Sequence, residues 1–251
     1  LLTGFLVLTG ALAFFAGRSE SGELGFHAML LLGAYPVDLF AGAVRVLLFT
    51  AVPAAFIAAV PARIIDEAQS RFGTVDGIVN NAAVIPPLRE IASAPASDVD
   101  DSLQANFATA FHLTRAVIPM MTAQGHGSIV MVNSAILRHP KREFGAYNVA
   151  KHALLGFARS LALELGPAGI RVNTLAPGKI AGERLEAFFE VRGRERGVAP
   201  EVIRAEYAAN LSLRRLPTAS EYADVAVFLL SDLSRAITGH VLDANGGEYF
   251  D

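Results

Sequence analysis

From residue 63 onward, segments patterned as helices alternate with short apolar segments patterned as strands. This alternation constrains the fold more than anything else in the chain. RIIDEAQSRFG (63–73) is amphipathic at helical spacing and stops at a glycine. VDGIVNNA (75–82) is a short apolar run ending in a polar turn. Residues 97–124 predict one long helix with Leu103, Phe107, Phe111 and Leu113 on one stripe. GSIVMVNSA (127–135) predicts a buried strand, GAYNVAKHALLGFARSLALELG (145–166) a periodic helix, and IRVNTLAPG (170–178) another strand. Residues 181–212 are charge-rich and helical, ASEYADVAVFLLSD (219–232) is a further helix, and GHVLDANGG (239–247) is a last strand. Strands separated by helices form βαβ units, which build a mainly parallel sheet. Such a sheet binds ligands beyond the carboxyl ends of its strands, at a switch point. Chemistry is therefore expected at Asn80 and Asn81, at Asn133 and Ser134, and at Pro177 and Gly178.

The chain has 251 residues, 53% of them hydrophobic, which suits one large α/β domain better than two small ones. A net charge of −3 provides no basic surface for nucleic acid or an anionic membrane. Cysteine is absent, which excludes disulfides and thiolate metal sites and suits the cytoplasm. The six histidines are scattered, with no pair at metal-ligand spacing, so no metal is expected. Charge is uneven. Residues 1–63 hold only Arg18, Glu20, Glu23, Asp38, Arg45 and Arg63, and the rest of the chain carries 39 of the 45 charges. Residues 1–17 and 46–62 carry none, and each 17-residue run is at the short limit for spanning a bilayer. Pro53 and Pro61 interrupt the second run, and no basic residue opens the first as a secretory signal would require. Buried parallel strands also read as continuous apolar runs. They are preferred here, with a membrane-associated N-terminal segment as the alternative.

Tyr147 and Lys151 stand one helical turn apart, so their side chains share a face. A phenol titrates near ~10 and is a poor proton carrier at neutrality. A neighbouring ammonium favours the phenolate, so the pair is expected to bring that value down toward working pH. Ser134, at the end of the preceding strand, can hydrogen-bond a carbonyl or alcohol oxygen while Tyr147 moves its proton. A serine hydrolase is the rival use of Ser134. However, the flanks Val-Asn-Ser-Ala-Ile lack the Gly-x-Ser-x-Gly elbow.

NNAA (80–83), Asn106 within a long helix, VNSA (132–135), YNVAK (147–151) and RVNTLAPG (171–178) occur in that order. The series resembles the classical short-chain dehydrogenase/reductase family over about residues 63–250. The resemblance implies a Rossmann-like, doubly wound, seven-stranded parallel sheet with helices on both faces. It implies hydride transfer between NAD or NADP and a small-molecule alcohol or carbonyl substrate, in a homotetramer or homodimer. It places the catalytic residues at Asn106, Ser134, Tyr147 and Lys151. Tyr147 would be the acid/base and Ser134 would orient the substrate oxygen. Lys151 would lower the tyrosine pKa and bond the nicotinamide ribose, and Asn106 would hold a water. Cofactor contacts would fall on Asn80, Ala82, Pro177, Gly178 and the backbone of Ile180, besides Tyr147 and Lys151. Where family members often carry threonine, this chain has Gly182. ITGHVLDANGG (237–247) resembles the family's closing strand, which commonly packs in a tetramer interface.

The first 62 residues fit less cleanly. FLVLTG (5–10) reads as the first strand, followed by a turn that should carry glycines where the pyrophosphate approaches. Thr9 and Gly10 match the family form Thr-Gly-x-x-x-Gly-x-Gly, but its later glycines fall on Phe14 and Ala16. Gly17 completes the turn only if one extra residue is inserted. Asp38 would favour NAD and Arg45 NADP, which leaves both cofactors open. Three readings stand. The turn is divergent and built mostly from backbone, the segment is a sequence anomaly, or nucleotide binding is lost and the fold serves as a scaffold or a non-redox enzyme. The expected whole is a single domain over 1–251 with a helical substrate flap at about 180–215. Arg138 and His139, near the expected pocket, fit either contact with an anionic substrate or a loop that faces solvent.

Overall fold

The structure, a computed structural model, describes residues 5–6 and 64–250. Its strands are β1 (Phe5–Leu6), β2 (Gly77–Asn80), β3 (Gly127–Val132), β4 (Ile170–Pro177) and β5 (Val241–Ala244). They form one parallel sheet in that spatial order. The FLVLTG strand is present at Phe5–Leu6, pairing with Gly77 and Ile78 of β2. Among the described residues the sheet has five strands of the expected seven, and Thr9, Gly10, Gly17, Asp38 and Arg45 lie outside those residues.

Helix α1 spans residues 64–72, ahead of β2. The helix expected at 97–124 is α2 (Ala96–Leu103) and α3 (Thr109–Gln124), joined by a π-helical turn at Gln104–Ala108. Helix α4 (Gly145–Leu165) connects β3 to β4. The charged stretch after β4 forms α5 (Glu183–Arg196) and α6 (Pro200–Ala209), and α7 (Ala219–Leu230) precedes β5.

Both faces of the sheet are covered, because alternate residues of each strand point to opposite sides. Ile78, Ile129, Met131 and Val172 pack with Leu113, Val117 and Met121 of α3 and Leu154, Ala158 and Leu161 of α4. Val79, Val130 and Leu175 pack on the other face with Leu229 and Leu230 of α7. The buried stripe of α2 and α3 differs from the expected one. It runs through Ser102, Asn106, Ala110, Leu113 and Val117. Phe107 and Phe111 turn aside into an aromatic cluster with Phe157, at 5.7 and 5.3 Å between ring centroids. Helical spacing restricts which residues share a stripe, but the neighbouring α4 decides which stripe is buried.

Helix α7 is anchored at both ends. Arg171 of β4 donates to the carbonyls of Leu229 (2.9 Å) and Ser231 (3.1 Å), which the helix end leaves without intrahelical donors. At its start, Thr218 and Glu221 form a reciprocal capping box. Thr218→Ala is expected to cost about 1 kcal/mol, and to lower Tm by about 2–4 °C in a thermal melt.

Candidate active site

The polar strand ends converge at one edge of the sheet. Asn80 closes β2, Asn133 and Ser134 follow β3, and Gly178 follows β4. Tyr147 is the third residue of α4, so the first turn of that helix stands beside the end of β3. The Ser134 hydroxyl accepts from the Ile136 N–H at 3.2 Å and faces the Tyr147 phenol, where it favours the phenolate. A serine whose oxygen is held by a backbone N–H presents its proton outward to one acceptor.

Lys151 lies one turn further along α4 and is fully buried. Its ammonium donates to the Val132 carbonyl at 3.1 Å and sits 5.5 Å from the centre of the Tyr147 ring. In return, the Asn133 side chain donates to the Lys151 backbone carbonyl at 2.9 Å. These crossed bonds tie the end of β3 to α4 and fix the lysine relative to the serine. Burial brings the Lys151 pKa down to about 8, because the charged form loses its hydration.

Tyr147 departs from the sequence expectation. Its pKa is raised, not lowered: burial dominates, while the Ser134 hydrogen bond and the Arg184 charge pull the other way. The lysine donates to a backbone carbonyl, and a buried phenolate loses more hydration than these neighbours return.

Asn106 also differs from the expected water-holder. Its side chain is occupied by protein, accepting from the Val84 N–H at 3.0 Å and donating to the Val84 carbonyl at 2.8 Å. It also donates to the Ser102 carbonyl at 3.0 Å. In the π-helical turn it thus pins the loop after β2, a positioning task. Asn80 is buried and donates to Thr114 of α3 at 3.0 Å. Ala82 and Ile180 lie in the loops after β2 and β4, partly and largely exposed respectively. Gly178 has no room for a side chain, since a Cβ there would stand 2.9 Å from the Asn245 Cα.

Arg138 and His139 do not await an anion. Arg138 donates from Nε and Nη2 to one oxygen of Asp243, at 3.1 and 2.9 Å, and the His139 ring lies 4.0 Å from that of Tyr249. A cleft of about 610 Å³ opens there, beside the end of β5, with Arg138, Asp243, Asn245 and Tyr249 among its walls. None of Asn106, Ser134, Tyr147 and Lys151 lines it. Among the described residues no cluster of His, Asp or Glu could hold a metal, and no helix is long and apolar enough to cross a membrane.

Sequence reasoning named Asn133 without its partner and did not single out Arg184. Asn133 belongs to the VNSA motif, but its bond to Lys151 depends on how β3 meets α4. Arg184 is one of many charges in the flap, and its nearness to Tyr147 depends on where α5 begins.

Residues 59–248 match the family model described as Enoyl-(Acyl carrier protein) reductase. Residues 1–84 match a second model, described as ABC-2 family transporter protein. Of the overlap, residues 64–84 include α1 and β2, and β2 is an integral strand of the sheet. Dehydrogenase/reductase SDR family member 4 of Sus scrofa is 37% identical over 186 residues, covering 74% of this chain and 63% of that protein. The uncharacterized short-chain type dehydrogenase/reductase y4mP of Sinorhizobium fredii is 34% identical over 188 residues, 72% of this chain and 68% of that one. The crystal structure of NAD+-bound xylitol dehydrogenase is similar with a TM-score of 0.68 and 28% identity, over 76% of this chain and 75% of that one. The chain belongs to the classical short-chain dehydrogenase/reductase family. It spans 63% of the length of the Sus scrofa relative.

Proposed function

We propose that the protein transfers hydride reversibly between a nicotinamide cofactor and the alcohol/carbonyl pair of a small molecule. The observation that carries this reading is the Lys151 ammonium. It is buried, has one acceptor, and stands 5.5 Å from the ring of a tyrosine that the Ser134 hydroxyl faces. An ammonium has three N–H donors. Among the described residues only the Val132 carbonyl accepts from it. A ribose diol would supply the missing oxygen acceptors, so the residues present fit a nicotinamide nucleoside.

When bound, the nicotinamide ring supplies or takes up the hydride. Ser134 donates its proton to the substrate oxygen and orients the carbonyl. Tyr147 gives its phenolic proton to that oxygen during reduction and takes it back during alcohol oxidation. Lys151 stabilises the phenolate left behind. Asn133 and Asn106 position this set from the strand and loop sides. Asn80, Ala82, Pro177, Gly178 and the Ile180 backbone are assigned to the cofactor side, with Thr9, Gly10 and Gly17 at the pyrophosphate turn. We also assign the chain to one domain over 1–251 with a flap at 180–215, to a cytoplasmic homotetramer or homodimer, and to either NAD or NADP.

Calorimetric titration with NADH and NADPH tests the cofactor assignment. Saturable binding of one of them below about 1 mM supports it. No binding of either at millimolar concentration favours the second reading, a scaffold or non-redox protein, which Phe14 at the place of a family glycine motivates. The match of residues 1–84 to a transporter model supports a membrane-attached form. Extraction without detergent, at dimer or tetramer mass on gel filtration, would remove that reading.

A further inference from the structure

We infer that Arg184 recognises a carboxylate or phosphate group on the molecule that faces Tyr147. The inference rests on the oxidoreductase reading and adds a ligand class to it. After Pro177 the chain leaves β4 and is pinned by the Ala181 N–H donating to the Pro217 carbonyl at 2.8 Å. It then enters α5 at Glu183. Arg184 therefore stands in the first turn of a helix that begins over the same end of the sheet as Ser134 and Tyr147. Its charge reaches the Tyr147 phenol and favours the phenolate.

The other arginines of the flap are engaged. Arg192 and Arg196 bond Glu195 and Glu206, Arg204 bonds Glu186, and Arg215 bonds Glu221. Arg194 and Arg214 donate to the backbone carbonyls of Glu190 and Ala209. Arg184 is exposed, and no carboxylate or carbonyl among the described residues accepts from it. A guanidinium in the first turn of α5, at the end of the sheet that carries the reacting oxygen and with its planar donor fork open, matches the geometry of a carboxylate or phosphate. That group can come from an anionic substituent on the substrate or from a phosphate of the cofactor. Gly182, which stands where the family often has threonine, withdraws one hydroxyl contact two residues before Arg184.

Equilibrium binding by calorimetry tests the inference on the full chain, for the wild type, Arg184→Met and Arg184→Lys. The probes are acetoacetate, its uncharged counterpart methyl acetoacetate, and NADH and NADPH. Acetoacetate and its ester are titrated both alone and with saturating nucleotide. A charge-assisted contact predicts that Arg184→Met weakens one anionic probe by about tenfold or more, with partial recovery in Arg184→Lys. Loss confined to acetoacetate, with the ester unaffected, identifies the substrate as the source of the anion. Loss confined to the nucleotides identifies the cofactor phosphate. Equal affinities of wild type and Arg184→Met for every anionic probe, or no binding of any of them, overturns the inference. Failure of the oxidoreductase reading looks different. Arg184-dependent anion binding would persist while no alcohol or carbonyl is turned over with either nucleotide.

Discussion

Tyr147→Phe is expected to lower kcat for carbonyl reduction by about 10²–10⁴-fold while leaving the fold and nucleotide affinity near wild type. The phenolic oxygen is the only atom removed, and the ring that packs beside Lys151 stays. The variant removes a buried polar atom that faces Ser134, so circular dichroism and a melt should accompany the assay. Burial raises the Tyr147 pKa, so the phenol keeps its proton through neutral pH and is present in the form that donates to a carbonyl. Alcohol oxidation needs the phenolate, and its rate should rise with pH across the alkaline range. Undiminished turnover in the variant would remove Tyr147 from proton transfer.

Lys151→Met is expected to abolish turnover and yet to stabilise the nucleotide-free protein at neutral pH. The folded-state pKa of about 8 lies below the ordinary lysine value of 10.5. Between those values the unfolded chain binds more protons than the folded one, so wild-type stability rises with pH through that window. Below pH 8 the buried charge carries its full penalty, on the order of 3 kcal/mol. Methionine keeps the apolar stem and drops the charge, at the cost of the bond to the Val132 carbonyl. The net expectation is a Tm higher by several degrees at pH 7, with the difference from wild type shrinking between pH 8 and 10.5. A variant less stable than wild type at pH 7 would show that the ammonium is better solvated or paired than its single acceptor indicates.

The alternation of segments from 63 to 250 was legible because each element carries its own periodicity. β2, β3, β4 and α4 fall within a few residues of the limits their apolar runs and glycines imply. The strand at Phe5–Leu6 was also expected, and its partner is β2. The π-helical turn at Gln104–Ala108 was not expected, since nothing in a helical pattern announces one extra residue in a turn. Its purpose becomes visible only through Asn106, whose side chain reaches the Val84 peptide 22 positions away. The bond that engages Arg138 was not legible for the same reason, because its partner Asp243 is 105 positions distant.

The sequence by itself determined the class of fold and the residues that can carry proton transfer. Hydrophobic spacing selects helix or strand locally, and the ordered motifs at 80–83, 132–135 and 147–151 place their polar groups at strand ends. Only the tertiary structure decided what those groups experience. It sealed Lys151 from water, moved Tyr147 upward where charge alone suggested downward, spent Asn106 and Arg138 on the protein itself, and left Arg184, in the first turn of α5, without an acceptor among the described residues. Desolvation and hydrogen-bond partnership are properties of surfaces brought together from distant parts of the chain, and residue spacing carries no measure of either.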